Sequence, residues 1–154
     1  MRPPAILFVC LGNICRSPLA EGAFRAVAAR ERVAVAVDSA GTGDWHVGRP
    51  PDSRSQAVAM RNGIDISGQR ARRVRGPDFQ SFDWICAMDR QNLRDLHLIA
   101  PADTSAKLTL LMDLVPECRG TDVADPYYGG DADFDAVWAQ VTRAAEALVA
   151  RLAR

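Results

Sequence analysis

The chain has 154 residues, a length that suits one domain with a sizeable hydrophobic core, and we predict a single domain over residues 1–154. Lysine plus arginine and aspartate plus glutamate both number 19, so the net charge near zero argues against partners such as nucleic acid or an anionic membrane. No apolar stretch is long enough for a signal peptide or a membrane span, and the four cysteines lack paired CxxC spacing. We therefore expect a cytoplasmic protein without a metal site.

Strands and helices alternate along the first half of the sequence. Residues 5–9, AILFV, form an unbroken apolar run that is typical of a buried parallel strand. A helix is expected from Pro18, with Ser17 as its cap, and residues 33–37, VAVAV, predict a second strand. Glycines and prolines then indicate a long loop, and another helix is expected from Ser53.

The same alternation continues in the second half. Residues 82–89, FDWICAMD, predict a third strand, with Asp89 placed to cap the next helix, and residues 107–114, KLTLLMDL, predict a fourth. After a turn-rich loop, an apolar stripe over residues 134–152 predicts a long last helix. This order predicts an α/β fold with a parallel sheet covered on both faces, in which ligands bind beyond the carboxyl ends of the strands.

The segment CLGNICR, residues 10–16, directly follows the first predicted strand. A strand that turns tightly into a helix points backbone N–H groups into a concavity, which suits a tetrahedral anion. Gly12 allows a close turn, Asn13 tolerates a left-handed conformation, and Arg16 can place two parallel N–H bonds on the anion. The same positive charges favour the thiolate form of Cys10. The segment can therefore hold a phosphate and aim a nucleophile at its phosphorus.

A leaving phenolate or alkoxide needs a proton, and one carboxyl group can supply it and later deprotonate water. Asp125 in ADPYYGG is the candidate for this acid, and Pro126 would stiffen its loop. Asp78 and Asp122 remain as alternatives from the sequence.

Five blocks of the sequence resemble the low-molecular-weight protein tyrosine phosphatases, and the likeness covers essentially the whole chain. They are VCLGNICRSP from residue 9, DSAGT from residue 38, GRPPD from residue 48, FDWICAMDRQNLRDL from residue 82 and DPYYGGDADFDAVW from residue 125. The resemblance implies the phosphotyrosine phosphatase I type of fold, a Rossmann-like three-layer sandwich with a four-stranded parallel sheet flanked by helices. It also implies hydrolysis of phosphotyrosine in proteins and of small aryl phosphates through a phosphocysteine intermediate, without a cofactor and with inhibition by phosphate and similar oxyanions.

The resemblance also implies roles for individual residues. Cys10 matches the nucleophile, Arg16 the phosphate-binding arginine and Asp125 the general acid and base. The remaining matched positions belong to the phosphate-binding loop, the supporting hydrogen-bond network or the aromatic pocket walls: Leu11, Gly12, Asn13, Ile14 and Cys15; Ser17 and Ser39; Trp45, Tyr127 and Tyr128. His46 is expected at the pocket rim.

Cys15 lies five residues from Cys10 on a loop that curls around one phosphate. A disulfide needs Cα atoms roughly 4.4–6.8 Å apart, and a loop this tight could approach that distance. We therefore predict that mild oxidation links Cys10 to Cys15 and inactivates the enzyme reversibly.

Three alternatives remain open. Arsenate reductases share this fold and loop but resolve their arsenic adduct with further cysteines, whereas Cys86 lies in a predicted strand and Cys118 is distant in sequence. Protein arginine phosphatases are similar but carry threonine where this chain has Ile14, and a branched apolar residue there favours phosphotyrosine. The third alternative is an inactive phosphopeptide-binding module, against which the complete set of nucleophile, arginine and acid argues.

Overall fold

The computed structural model describes residues 2–154 and contains a four-stranded sheet in which every strand pair is parallel. The strands are β1 (Ala5–Cys10), β2 (Ala36–Gly41), β3 (Trp84–Ala87) and β4 (Lys107–Leu110), in the order β2-β1-β3-β4. The helices are α1 (Arg16–Arg30), α2 (Ser53–Arg61), α3 (Asp78–Ser81), α4 (Arg90–Ile99) and α5 (Asp131–Leu152), with 3-10 turns at Leu111–Leu114 and Pro116–Cys118. The predicted α/β class and the parallel sheet are confirmed.

Strand β1 lies between two hydrophobic cores, one on each face of the sheet, and all six of its residues are buried. Ile6 and Phe8 point to one face, where they belong to a core shared with α1, α2 and α5. Leu7 and Val9 point to the other face and pack in a core with side chains of α3 and α4. Burial on both faces explains why this strand is apolar at every position instead of alternating.

The order of the strands places the end of β1 where the chain changes the direction in which it adds strands to the sheet. The chain passes from β1 to β2 on one side and then returns to add β3 and β4 on the other side. The connections from neighbouring strands therefore leave in opposite directions and open a crevice at the carboxyl edge. Cys10 is the last residue of β1, and the loop of residues 11–15 begins in this crevice.

Boundaries of six predicted elements were wrong. Strand β1 extends one residue further, to Cys10, and β3 covers Trp84–Ala87 instead of residues 82–89. Strand β2 covers residues 36–41, not 33–37, because it pairs residue by residue with β1, from Ala36 opposite Ala5 to Gly41 opposite Cys10. Strand β4 ends at Leu110, where β3 also ends, and the apolar residues that follow form a 3-10 turn. Helix α1 begins at Arg16, two residues before Pro18, so Ser17 lies inside the helix and is not its cap; Cys15 occupies the N-cap position.

Helix α5 begins at Asp131, three residues before the predicted start, because the carboxylate of Asp133 accepts a hydrogen bond from the Gly130 N–H at 2.8 Å and caps the first turn. The four-residue helix α3 was not predicted. Among the helices of residues 2–154, none is both long enough and apolar enough to cross a membrane.

Candidate active site

The carbonyl groups at the two ends of the loop of residues 11–15 accept hydrogen bonds from neighbouring segments. On one side, residues 42 and 43 donate backbone N–H bonds to the carbonyls of Cys10 and Leu11, both at 2.9 Å. On the other side, the start of α2 donates to the carbonyls of Ile14 and Cys15, at 2.8 and 3.3 Å. Within residues 2–154, the N–H groups of Leu11, Gly12, Ile14 and Cys15 have no protein acceptor. An anion in the loop would therefore meet unpaired N–H donors.

Asn13 holds the loop in its unusual shape. Its φ of 58° lies in the left-handed region, which asparagine tolerates better than most residues, as the sequence predicts. Its side chain is buried, donates from Nδ2 to Ser17 at 2.8 Å and to Ser39 at 3.0 Å, and accepts the Arg72 N–H at 3.0 Å. Gly41 lies close by, where a Cβ would come within 2.7 Å of the Leu11 carbonyl oxygen, so a larger residue would displace the loop.

Two branches of hydrogen bonds leave the Asn13 amide, one ending at the Glu21 carboxylate and the other at the Cys10 sulfur. Buried Glu21 accepts from the Ser39 hydroxyl at 2.8 Å, which leaves the Ser39 oxygen to accept from Asn13. Asn13 also donates to the Ser17 oxygen, which leaves the Ser17 hydroxyl free to donate to Sγ of Cys10 at 3.0 Å. The Asn13 N–H donates to the same sulfur at 3.2 Å. The Cys10 sulfur therefore faces two hydrogen-bond donors.

Glu21 was not identified from the sequence as part of this network. Burial raises the pKa of Glu21, and hydrogen bonds from Ser39 and Arg25 oppose the rise. The position of Glu21, five residues after Arg16 on α1, does not reveal this role in the sequence, because its partner Ser39 lies on strand β2.

Arg16 is anchored on its far side by two groups from other elements. Its Nη1 donates to Asp89 at 2.6 Å and to the Val123 carbonyl at 2.9 Å, while its Nη2 lies 3.6 Å from the Asp125 carboxylate. Burial alone would lower the pKa of Arg16, but the Cys10 sulfur and the hydrogen bond to Asp89 outweigh it and raise the pKa. The sequence identified Asp89 as the cap of α4, which it is, but not as a partner of Arg16.

Most of the predicted site residues line one cavity of about 350 Å³. Cys10 and Arg16 line it together with Asp125, whose Oδ1 accepts the Tyr127 N–H at 3.1 Å. The other residues that line it belong to the loop or to the aromatic walls: Leu11, Gly12, Ile14, Cys15, Trp45, His46, Tyr127 and Tyr128. The side chains of Asn13, Ser17 and Ser39 are buried and do not line the cavity.

The alternative acids lie away from this cavity. Asp78 is buried at the start of α3, where its carboxylate accepts two bonds from Arg72 at 2.9 and 3.1 Å. Asp122 pairs with Arg90, and although burial acts to raise the pKa of Asp122, the Arg90 hydrogen bonds lower it. Both carboxylates are therefore engaged in ion pairs away from the cavity, and Asp125 is the aspartate that lines the cavity.

The cysteines outside the nucleophile position occupy three different environments. Cys15 lines the cavity but is buried, and burial is the main cause that raises its pKa to about 12. Cys86 is completely buried in β3, in agreement with the prediction of a core residue. Cys118 is partly buried, with its sulfur 3.5 Å from Nη1 of Arg143, and does not line the cavity.

Comparison with known proteins identifies the family. Residues 5–154 match the sequence model described as low molecular weight phosphotyrosine protein phosphatase. Low molecular weight protein-tyrosine-phosphatase YfkJ of Bacillus subtilis is 41% identical over 96% of this chain and 95% of its own, and its crystal structure superposes with a TM-score of 0.91, covering 99% and 96% of the two chains. The Homo sapiens low molecular weight phosphotyrosine protein phosphatase is 42% identical over 94% and 93% of the two chains.

A Drosophila arginine phosphatase, DARP, has a crystal structure that is 31% identical, with a TM-score of 0.90 and coverage of 95% and 96% of the two chains. The family match spans nearly the whole chain, and the curated relatives match at 41–42% identity. This chain belongs to the low molecular weight phosphotyrosine protein phosphatase family.

Proposed function

We propose that this chain hydrolyses phosphotyrosine in proteins, and small aryl phosphates, through a phosphocysteine intermediate. The observation that carries the proposal is one cavity that brings a hydrogen-bonded sulfur, unpaired loop amides, a guanidinium and a carboxyl group together. A phosphoryl group bound by the amides and Arg16 would have Cys10 behind its phosphorus and Asp125 beside its leaving oxygen.

In the first step the Cys10 thiolate attacks phosphorus, the S–P bond forms and the P–O bond to the phenol breaks. Asp125 enters as the carboxylic acid and gives its proton to the departing phenolate oxygen. The loop amides and Arg16 bind the non-bridging oxygens, where negative charge is held throughout the transfer. The tyrosine product leaves, and phosphate remains covalently bound to sulfur.

In the second step water attacks the phosphocysteine. Asp125, now a carboxylate, takes a proton from the water as the new O–P bond forms and the S–P bond breaks. The sulfur departs as a thiolate that accepts hydrogen bonds from Ser17 and from the Asn13 N–H. Inorganic phosphate is the product, and we expect phosphate and similar oxyanions to inhibit by occupying the same donors.

The cavity walls support an aryl substrate. Trp45 and Tyr128 are exposed over 68% and 97% of their surfaces, so their rings are available to contact a substrate ring on entry. Ile14 lines the cavity at the position where arginine phosphatases of this fold carry threonine. We therefore propose tyrosine-phosphorylated proteins as substrates, and release of phosphate from phosphoarginine at a rate matching phosphotyrosine would contradict this choice.

The other activities have less support. Arsenate reduction in this fold uses further cysteines on a mobile segment, and here Cys86 is enclosed in the sheet while Cys118 lies beside Arg143. A binding module without turnover would not need an acid at the cavity wall. Reversible oxidation through Cys15 and a cytoplasmic location stay predictions from the sequence.

The test uses Cys10→Ser and Asp125→Asn on a series of aryl phosphates. Cys10→Ser should bind phosphate and lose nearly all turnover, because a serine there is not ionised near neutral pH. Asp125→Asn should slow cleavage by ~10²–10⁴-fold for phenols that are poor leaving groups and by much less for nitrophenols. Turnover by Cys10→Ser at a rate near wild type would remove Cys10 from the mechanism, and an equal loss for all leaving groups would remove Asp125 as the acid.

A further inference from the structure

Arg54, the second residue of α2, is held in a fixed position by the carboxylate of Asp52. Its Nε and Nη2 donate to the two oxygens of Asp52, both at 3.0 Å, and its backbone N–H donates to Oδ1 at 2.8 Å. This two-pronged contact fixes the plane of the guanidinium as well as its place. Although burial acts to raise the pKa of Asp52, the hydrogen bonds from Arg54 lower it, so the pair stays charged.

From this position Arg54 reaches the loop of residues 124–130, which carries the acid. Its Nη1 donates to the Gly129 carbonyl at 3.3 Å. The guanidinium carbon lies 5.6 Å from the centre of the Tyr127 ring and 4.6 Å from that of Phe134, the distances of cation–π contacts. One side chain from α2 therefore contacts the acid loop at two points and the first turn of α5 at a third.

The contact with Tyr127 bears directly on the acid, because the Tyr127 N–H donates to Oδ1 of Asp125 at 3.1 Å. The backbone of Tyr127 thus holds one of the two oxygens of the Asp125 carboxyl group. In this loop Pro126 is buried and its neighbours are exposed, so the packing that fixes the loop comes from few side chains. Arg16 and Arg54 reach the loop from other elements.

The partner of Arg54 also contacts the phosphate-binding loop. The backbone N–H of Asp52 donates to the Ile14 carbonyl at 2.8 Å. The Asp52–Arg54 pair therefore lies between the loop that holds the phosphate and the loop that holds the acid, and it contacts both. The pair is thus a direct link between the two loops.

We propose that Arg54 is a positioning residue for the general acid: it holds Tyr127 and Gly129 so that Asp125 reaches the oxygen of the leaving phenol. The inference rests on the proposed acid role of Asp125. Arg54 does not line the cavity, so it acts through the loop and not on the substrate. A displacement of about 1 Å in a reacting group can cost up to ~10²-fold in rate, which sets the size of the expected effect.

The experiment compares Arg54→Met and Arg54→Lys with Arg61→Met in the full chain. Arg61 is a matched control, because it lies on the same helix and forms an exposed ion pair with Asp135 of α5 at 2.7 Å, away from both loops. The readouts are kcat/KM across aryl phosphates of graded leaving-group acidity, inhibition by inorganic phosphate, and thermal unfolding.

For Arg54→Met we expect kcat/KM to fall by roughly 10-fold to 10²-fold with poor leaving groups and by less than ~3-fold with nitrophenols, while phosphate inhibition stays within ~2-fold of wild type. Arg54→Lys should lose nearly as much, since lysine keeps the charge but cannot contact Asp52 with two prongs and Gly129 with a third N–H. Arg61→Met should remain within ~2-fold of wild type for every substrate. In the Asp125→Asn background, Arg54→Met should add no further loss, because the group that it positions is absent.

Three results would overturn the inference. An equal loss for all leaving groups with weakened phosphate inhibition would mean that Arg54 supports the phosphate-binding loop instead. Unchanged kinetics in both Arg54 variants, each folded as judged by thermal unfolding, would mean that the loop keeps its place without Arg54. If the loss of kcat/KM depends on the leaving group in Asp125→Asn but not in Arg54→Met, the role of Arg54 alone is rejected. If the loss in Asp125→Asn is the same for every leaving group, the proposed acid itself is rejected.

Discussion

The hydroxyl of Ser17 offers a sharp test of the hydrogen bonds to the Cys10 sulfur, because a second buried serine touches the same loop in a different way. Ser17 donates to the Cys10 sulfur at 3.0 Å, whereas Ser55 donates to the Cys15 carbonyl at 3.3 Å. Both serines are completely buried. Replacing either one by alanine removes one hydroxyl in a similar environment, but one hydroxyl contacts the reacting atom and the other contacts the backbone.

The expected magnitudes differ because the acceptors differ in charge. A hydrogen bond to a charged group contributes about 1.5–3 kcal/mol, which corresponds to roughly 10-fold to 150-fold in rate if it is made to the departing thiolate. A hydrogen bond to a neutral carbonyl contributes about 0.5–1.5 kcal/mol, and in Ser55→Ala it should appear as lost stability. In Ser17→Ala, Asn13 keeps Ser39 as an acceptor, so the loop retains part of its support.

The assay measures kcat and kcat/KM on a nitrophenyl phosphate, which needs little help from the acid, together with thermal unfolding. We expect Ser17→Ala to lose roughly 10-fold or more in kcat, the parameter that includes departure of sulfur from the phosphocysteine, and Ser55→Ala to lose less than ~3-fold. If both variants lose stability to a similar degree and Ser17→Ala turns over as fast as Ser55→Ala, the Ser17 hydroxyl serves packing only and its hydrogen bond to sulfur has no catalytic consequence.

Two further predictions concern oxidation and pH. Mild peroxide should form a Cys10–Cys15 disulfide that thiol reductant reverses and bound phosphate prevents; because the pKa of Cys15 is raised to about 12, disulfide formation should accelerate as pH rises. Mass spectrometry and recovery of activity check this, and a Cys15→Ala variant that recovers as fully as wild type would contradict it. Burial raises the pKa of Glu21 above its unfolded value of about 4.3, so its contribution to stability is complete below that pH and is lost as pH rises through the raised pKa. Urea unfolding at several pH values should therefore show Glu21→Gln gaining stability relative to wild type as pH increases, and a constant or shrinking difference would refute the assignment.

The parts of the site that were predictable from the sequence are those encoded by neighbouring residues. The segment of residues 10–16 carries the sulfur, the turn and the guanidinium within seven positions, and Asp125 adjoins a proline in a turn-rich stretch. Both signals are local, and the structure brings the two segments to one cavity.

The parts that escaped prediction depend on contacts between distant positions. Asp89 contacts Arg16 across 73 residues, and Arg54 reaches Gly129 across 75. No periodicity links such pairs, because the fold alone makes them neighbours. The boundaries of β2 were misplaced for the same reason. The register of the sheet determines which residues pair with β1, and Val33 and Val35 pack against the hydrophobic core without pairing with β1.

The anchoring of Arg16 has a consequence for how the protein acquires activity during folding. Its guanidinium is fixed by groups 73 and 107 residues further along the chain, so the local helix can form early without producing a competent site. Long loops must close before these contacts exist, and such closures belong to the slow part of folding in proteins with many non-local contacts. Recovery of catalysis after dilution from denaturant therefore reports the final assembly of the sheet and its carboxyl edge. Any compact intermediate that lacks β3 or the Val123 segment would contain helix but have no catalytic activity.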